Sequence, residues 1–360
     1  MKTMQQLQDA GQSIWLDNIT RNLLATGTLR RYIDELSVTG LTSNPTIFNQ
    51  AIKSSSDYDE AIREKLAKGK SGEDLFFDLA IDDITQAADL FRPVFDRTSG
   101  VDGFVSLEVS PLLAYDTQTT LAVAKSLHAR AGRPNLFIKI PGTKEGIPAI
   151  EEAIFAGIPI NVTLLFSRQQ YVAAAEAYLR GIERRIAGRL NPNVASVASL
   201  FISRWDAAVT GKVPEEMNDQ LGIAVGKRSY GTYCEMLASP RYMRIFNVGG
   251  REQRLLFAST GTKNPKAPDT LYVKALAAPD TVNTMPEATL KAFADHGELG
   301  ALIPADGGDC EEVLARFVKA GIDIDALAAK LQEEGAASFV KSWNELMGVI
   351  ASKSAALTPA

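Results

Sequence analysis

Five polar side chains, set within short apolar segments, have the types that carbon–carbon bond chemistry requires. In the segments SIWLD, FVSLEVS, FIKIP and INVTL, polar and apolar residues alternate. Side chains alternate faces along a β-strand, so the polar residues of each segment share the face opposite the aliphatic residues. They are Asp17, Glu108, Lys139, Asn161 and Thr163. We predict that they meet in one interior, because burying such groups without partners costs roughly 2–7 kcal/mol each.

A lysine held beside carboxylates in an apolar slot is suited to Schiff-base catalysis. A lysine amine attacks a ketone only when unprotonated, and at the reference pKa of about 10.4 roughly one lysine in two thousand is neutral at pH 7. Burial favours the neutral amine, which is then a nucleophile. The iminium that forms is an electron sink for cleaving or forming the adjacent carbon–carbon bond. Lys139 is therefore the predicted nucleophile, and Asp17, Glu108 and Thr163 are expected to move protons.

The elements that must position these residues alternate between strands and helices. Strands are predicted over residues 13–17, 38–43, 103–109, 136–141, 159–165, 197–202, 255–260 and 272–275. Helical periodicity is clear over residues 74–91 and 168–186. Eight strands alternating with helices favour a (β/α)₈ TIM barrel, whose active site lies at the carboxyl ends of the strands. A doubly wound open sheet is the alternative.

The chain is expected to form one catalytic barrel domain over residues 1–352, followed by a frayed tail over 353–360. Residues 278–304 are rich in turn formers and are expected to be less regular. An apolar stripe near the C-terminus has helical spacing and is expected to pack on the barrel as an additional helix. Its residues are Phe339, Trp343, Leu346, Met347 and Ile350.

Composition excludes several classes of function. The net charge of −5 is unlike that of a nucleic-acid binder, which needs a basic face. Only two histidines and two cysteines are present, too few for a His-rich zinc site, and Cys234 and Cys310 imply no disulfide framework. No signal peptide and no apolar stretch long enough to span a membrane is found, so a cytoplasmic location is expected.

Seven stretches, in order along nearly the whole chain, resemble those of transaldolases, particularly the longer bacterial and cyanobacterial type. They are WLDNI (15–19), GLTSNPTIF (40–48), VSLEVSPLLAYD (105–116), LFIKIPGTKEGI (136–147), INVTLLFS (160–167), SLFISRWD (199–206) and LLFASTGTKNP (255–265). Each stretch alone is weakly specific, whereas all seven in order are highly specific.

The resemblance implies a role for each matching residue. Lys139 is the implied Schiff-base lysine, Asp17 the general acid/base, and Glu108 with Thr163 the holders of a relay water. Residues implied to bind the substrate are Asn44, Asn161, Ser199, Phe201 and Arg204, of which Ser199 and Arg204 contact the phosphate. The family converts sedoheptulose 7-phosphate and glyceraldehyde 3-phosphate into erythrose 4-phosphate and fructose 6-phosphate. It requires neither metal nor organic cofactor.

One departure concerns the second phosphate contact. Shorter transaldolases have an arginine after the seventh strand, where this chain has Ser259-Thr260-Gly261-Thr262-Lys263. Lys263, or backbone N–H groups of the Gly261 turn, is the expected replacement, since lysine binds phosphate as a point charge. Ser259 and Lys263 are both expected to bind the substrate. An insertion around residues 227–246 also marks the long form.

Two other functions remain open from the sequence. A class I aldolase acting on fructose 6-phosphate shares the lysine and the barrel, but water rather than an acceptor aldehyde completes its reaction. A phosphosugar-binding barrel that has lost catalysis is the second alternative. The chain is expected to be a monomer or a homodimer.

Overall fold

Eight parallel strands close into a barrel in the order in which they occur along the chain. The computed structural model describes residues 2–358 of the protein. The strands are β1 (Gln12–Asp17), β2 (Val38–Thr42), β3 (Val105–Glu108), β4 (Leu136–Pro141), β5 (Ile160–Leu165), β6 (Ser196–Phe201), β7 (Gln253–Ala258) and β8 (Thr281–Met285). Because β8 pairs with β1, the sheet has no free edge and the predicted TIM barrel is confirmed.

Helices surround the barrel and connect its strands. They are α1 (Lys2–Asp9), α2 (Arg21–Ala25), α3 (Thr28–Glu35), α4 (Pro45–Ser54), α5 (Asp59–Ala67), α6 (Gly72–Arg97), α7 (Thr117–Ala131), α8 (Gly146–Phe155), α9 (Arg168–Ala187), α10 (Ser203–Val209), α11 (Leu221–Leu237), α12 (Pro240–Phe246), α13 (Leu271–Ala275), α14 (Glu287–His296), α15 (Cys310–Lys319) and α16 (Ile324–Leu357). The insertion around 227–246 forms α12 and most of α11. None of the helices described is long and apolar enough to cross a membrane.

An aromatic layer fills the amino-terminal half of the barrel interior. The rings of Phe104 and Phe137 stack with centroids 4.1 Å apart, and Trp15 lies 6.0 Å from Phe137. A Cβ atom on Gly40 of β2 would lie 2.5 Å from the indole of Trp15, so only glycine fits there. Trp15 and Phe137 precede Asp17 and Lys139 by two residues and share their faces, so this apolar layer lies directly beneath the polar one.

Strand register brings the polar residues to one level. Glu108 lies opposite Lys139, and Lys139 lies opposite Asn161. On the other side of the barrel, Asp17 lies opposite Thr42. These residues stand in the carboxyl-terminal half of their strands, the end at which barrel enzymes carry their active sites.

The predicted eighth strand is wrong. Residues 272–275 belong to helix α13, and the true strand β8 lies within the segment 278–304 that was expected to be irregular. A short apolar run fits a helix as well as a strand. Here the segment is helical, and Tyr272 and Val273 are buried in the core in that conformation. In β8 the apolar residues are interrupted by threonines and an asparagine that are buried in the barrel. The other seven strands begin and end within two residues of their predicted limits.

The C-terminal helix α16 packs on the barrel along the predicted stripe, with Phe339, Trp343, Leu346 and Ile350 buried. It does not fray after residue 352 but continues to Leu357. The Lys353 ammonium secures this end by donating to Ser55 O over 2.7 Å and to Asp59 over 2.6 Å. Residues 359–360 of the predicted tail lie outside the described residues.

Candidate active site

Lys139 on β4 is enclosed by two acceptors inside the barrel. Its Nζ lies 3.1 Å from Glu108 Oε2 of the neighbouring strand and donates to the backbone carbonyl of Ser43 over 2.9 Å. Both Lys139 and Glu108 are 5% exposed. A buried amine beside a carboxylate has a direct acceptor for its proton, and transfer leaves a neutral pair in place of two buried charges.

The Glu108 carboxylate lacks hydrogen bonds from well-aligned donors. Its contact with Lys139 is close enough for an ion pair, yet neither oxygen has a donor with hydrogen-bond geometry among residues 2–358. Burial raises the pKa of Glu108, and the positive charge of Lys139 partly opposes that rise. Thr163 on β5 likewise has a buried hydroxyl with no hydrogen-bond partner in the described chain. These groups on the two strands that flank β4 are able to bind a water molecule or a substrate hydroxyl.

Asp17 at the end of β1 is oriented by two threonines. Thr42 Oγ1 donates to Asp17 Oδ1 over 2.7 Å, and Thr42 Oγ1 lies 2.6 Å from Thr284 Oγ1. A hydroxyl has one proton, so Thr284 is the donor in the second bond. Burial raises the pKa of Asp17, while the charge of Lys139 and the bond from Thr42 act in the opposite direction. A carboxyl with a raised pKa that remains able to ionise suits general acid/base work.

Of the two predicted asparagines, Asn44 lines the cavity and Asn161 lies behind its wall. Asn44 caps helix α4, where its Oδ1 accepts from Ile47 N over 3.1 Å, so its amide N–H groups remain available to the cavity that it lines. Asn161 is fully buried, donates to Ser106 Oγ over 3.1 Å and accepts from Ser199 Oγ over 2.7 Å. Ser199 lines the cavity, whereas Asn161 does not and supports Ser199 from behind.

Positive charge is concentrated on the β6 and β7 side of the cavity. The guanidinium of Arg204 lies against the Phe201 ring, with Cζ 5.1 Å from the centroid, and makes no hydrogen bond or ion pair within residues 2–358. Burial lowers the pKa of Arg204. Ser259 and the exposed Lys263 line the same side, and Lys263 makes no ion pair in the described structure. Two cations without carboxylate partners are suited to binding an anion.

One cavity of about 230 Å³ at the carboxyl end of the barrel brings these groups together. Nine of the eleven predicted site residues line it: Asp17, Asn44, Lys139, Thr163, Ser199, Phe201, Arg204, Ser259 and Lys263. The remaining two, Glu108 and Asn161, contact lining residues from just outside. In the described chain, no three His, Cys, Asp or Glu side chains are arranged to hold a metal ion.

The cavity wall also contains residues that the sequence analysis did not predict as site residues, among them Thr42, Thr284 and Phe339. Thr42 carried a usable signal, since it alternates with Gly40 on the inward face of β2. Thr284 has no such signal, because the sequence pattern predicts the eighth strand over residues 272–275 and not over Thr281–Met285. Phe339 lies in the apolar stripe of α16, whose spacing predicts packing on the barrel but not a place in the cavity wall.

Comparison with known proteins identifies relatives along nearly the whole chain. The sequence pattern of the family described as Transaldolase/Fructose-6-phosphate aldolase matches residues 14–350. A transaldolase from Acidothermus cellulolyticus is 44% identical over 353 residues, covering 96% of this chain and 95% of the relative. Transaldolases from Frankia alni and Mycobacterium tuberculosis are each 43% identical, covering 97% and 95% of this chain and 96% and 94% of their own lengths.

Proposed function

The chain belongs to the transaldolase/fructose-6-phosphate aldolase family, and we propose that it acts in that family as a transaldolase through a Schiff base on Lys139. It transfers a dihydroxyacetone unit from sedoheptulose 7-phosphate to glyceraldehyde 3-phosphate, giving erythrose 4-phosphate and fructose 6-phosphate. The observation that carries the proposed mechanism is the buried Lys139–Glu108 pair, whose lysine lines a cavity together with Asp17 and with two cations that form no ion pair within residues 2–358.

The first step is imine formation at the ketone of the donor sugar. Glu108 accepts the proton of the Lys139 ammonium, and the neutral amine attacks the C2 carbonyl carbon. The carbinolamine then loses its hydroxyl as water, for which a proton must be delivered. The unpartnered hydroxyl of Thr163 and the carboxyl of Glu108 support a water molecule in this relay.

The second step is cleavage of the bond between C3 and C4. Asp17 removes the proton of the C4 hydroxyl, the aldehyde product forms, and the bonding electrons pass to the iminium to give an enamine on Lys139. The raised pKa of Asp17 supports this role, because a carboxylate of ordinary acidity is a weaker base. In the reverse sense, the enamine attacks an acceptor aldehyde and Asp17 returns the proton.

The positive side of the cavity fits the substrate phosphate. Arg204 offers up to five N–H donors, none of which is used within residues 2–358. Lys263 adds a second charge near the cavity mouth, and the Ser259 hydroxyl, whose bond with Ser203 can run in either direction, is an additional donor. The Ser199 hydroxyl must release its bond to Asn161 before it can donate to the phosphate. Asn44 is left to bind hydroxyls of the three-carbon unit through its amide N–H groups.

Transfer is favoured over simple aldol cleavage because the relatives compared above are named transaldolases over nearly their full length. The two activities differ in whether fructose 6-phosphate turnover requires an acceptor. We expect turnover to depend on added erythrose 4-phosphate. Equal turnover without acceptor would assign the protein to the aldolase half of the family.

Trapping with borohydride tests the nucleophile directly. After incubation with fructose 6-phosphate, reduction should leave a three-carbon adduct that peptide mass spectrometry locates on Lys139. Lys139→Arg should abolish both the adduct and turnover, whereas Lys144→Arg, at an exposed lysine in the following turn, should retain both. Turnover that survived in Lys139→Arg would refute the Schiff base, and inactive wild-type protein would favour a barrel that only binds phosphosugars.

A further inference from the structure

The long C-terminal helix contributes an aromatic ring to the wall of the cavity. Phe339 on α16 lies against the guanidinium of Arg204, with Arg204 Cζ 5.8 Å from the ring centroid. The Phe201 ring lies 5.1 Å from the same atom. We infer that Phe339 is a positioning residue that holds Arg204 ready for the substrate phosphate. This inference rests on the proposed function, in which Arg204 binds that phosphate.

Arginine needs such support at this position. Its side chain has several freely rotating bonds, and restricting them costs free energy each time an anion is bound. Cation–π contacts restrict the guanidinium without occupying its N–H donors, whereas a carboxylate partner would both occupy donors and neutralise the charge. Arg204 has two ring contacts and no carboxylate partner in the described chain. The arrangement therefore fixes the cation while leaving it available.

Helix α16 is anchored to the strands that carry the reacting groups. Gln332, two turns before Phe339, donates from Nε2 to Gly142 O over 3.0 Å and to Leu164 O over 2.9 Å. Gly142 follows β4, the strand of Lys139, and Leu164 belongs to β5. The ring of Phe339 is thus placed relative to the same strands that place the nucleophile.

The other side of α16 is fixed to helix α4. Thr46 Oγ1 is hydrogen-bonded to Ser342 Oγ over 2.8 Å, and Asn49 donates to Glu345 over 3.3 Å. Thr46 itself lines the cavity. Phe339 lies between these bonds and those of Gln332 along the helix, so its backbone is held from both directions.

A glycine one turn before Phe339 gives the guanidinium room. A Cβ atom on Gly335 would lie 3.1 Å from Arg204 Nη1 and 3.0 Å from Leu164 Cδ2. Both separations are tighter than ordinary van der Waals contact. The same helix has a second glycine, Gly348, whose added Cβ would meet nothing within 4 Å. Helix α16 therefore offers a matched pair of glycines for testing the contact with Arg204.

The competing explanation is that Phe339, only 5% exposed, merely fills the core. If Phe339 only fills the core, replacing it lowers stability and affects every activity of the site. If it positions Arg204, replacing it weakens phosphate binding alone. Phe339→Leu removes the ring but keeps most of the apolar volume, and Phe339→Tyr keeps the ring. The affinity for inorganic phosphate, measured by calorimetry, reports on anion binding without catalysis. The Arg204→Leu variant, which lacks the guanidinium, is the reference for this measurement.

We expect Phe339→Leu to weaken phosphate binding and to raise KM for fructose 6-phosphate about tenfold, with kcat changed less than about twofold. The rate of borohydride trapping with dihydroxyacetone, which has no phosphate, should stay within about twofold of wild type because Lys139 is unaffected. Phe339→Tyr should restore phosphate binding. Gly335→Ala should weaken phosphate binding as well, while Gly348→Ala should not.

Two results would overturn the inference: unchanged phosphate affinity in Phe339→Leu, or a parallel loss of phosphate binding and dihydroxyacetone trapping. Failure of the proposed function has a different signature. If wild-type protein gave no adduct on Lys139, the Schiff-base mechanism would be lost, yet the phosphate measurements would still decide whether Phe339 positions Arg204.

Discussion

Thr42 Oγ1 donates a hydrogen bond to Asp17 Oδ1 over 2.7 Å and itself lies 2.6 Å from Thr284 Oγ1. The three residues come from β1, β2 and β8, which are consecutive around the closed barrel. Since each hydroxyl has a single proton, the chain of donors runs from Thr284 through Thr42 to the carboxylate. The proposed acid/base of the site is thus held by residues that are distant in sequence and adjacent only because the sheet closes.

Thr42→Val should shift the pH dependence of catalysis. The hydrogen bond from Thr42 lowers the pKa of Asp17 against the larger effect of burial, so its loss should raise that pKa further. Asp17 would then ionise at higher pH, and the acid limb of the kcat/KM profile should move upward in pH. We expect kcat/KM at neutral pH to fall about two- to tenfold. Thr42→Ser, which retains the hydroxyl, is the control. If the acid limb of the kcat/KM profile did not move in Thr42→Val, Asp17 would not be the group that transfers the proton in the rate-limiting step.

Glu108→Gln should slow imine formation about 10²- to 10⁴-fold, the usual contribution of a positioned acid or base. The substitution preserves shape but removes the acceptor 3.1 Å from Lys139 Nζ. Single-turnover trapping with borohydride measures this step apart from bond cleavage. Glu312→Gln, at an exposed carboxylate on α15, serves as the control. Equal trapping rates in Glu108→Gln and wild type would exclude Glu108 from the proton relay.

Tyr272→Phe should reduce stability in a pH-dependent manner. Tyr272 donates to the buried Asp206 over 2.8 Å, and burial raises the pKa of Asp206 to about 6 in spite of that bond. The folded state therefore holds an extra proton between about pH 4 and pH 6, and the free energy of unfolding falls as pH rises through that window. Removing the donor weakens the ionised form most, so the loss should be about 1–3 kcal/mol at pH 8 and smaller at pH 4.5. Urea unfolding at both pH values provides the measurement, and a loss independent of pH would contradict the assignment.

Gly103→Ala should be far more damaging than Gly27→Ala, although both glycines have positive φ, +84° and +71°. A Cβ atom on Gly103 would lie 2.3 Å from the backbone nitrogen of Phe95, whereas one on Gly27 would meet nothing within 4 Å. We expect a loss of about 1–2 kcal/mol at Gly27 from backbone strain alone. At Gly103 the added clash should bring the loss to about 4 kcal/mol or more. Thermal unfolding of the two variants compares them directly. Equal losses of unfolding free energy would show that the loop before β3 moves to accommodate the added methyl group.

The sequence by itself was sufficient to predict the barrel and most of the cavity wall. Two-residue alternation along a strand depends only on local geometry, so it is sufficient to predict that Lys139, Glu108 and Asp17 face the barrel interior. Seven of the eight strands followed for the same reason, and the order of the transaldolase-like stretches indicated the family. The catalytic roles of Lys139, Glu108 and Asp17 remain predictions that the trapping and pH experiments above address.

Tertiary structure decided what local pattern cannot express. The segment around Tyr272 became a helix and Thr281–Met285 became the closing strand, because short segments adopt the conformation that their long-range contacts stabilise. Thr284 reached Asp17, and Phe339 reached Arg204, only once the sheet had closed and α16 had folded back across the barrel. An amphipathic helix reveals that one face is buried but not what that face meets. The partner of each buried side chain is set by packing between elements far apart in sequence.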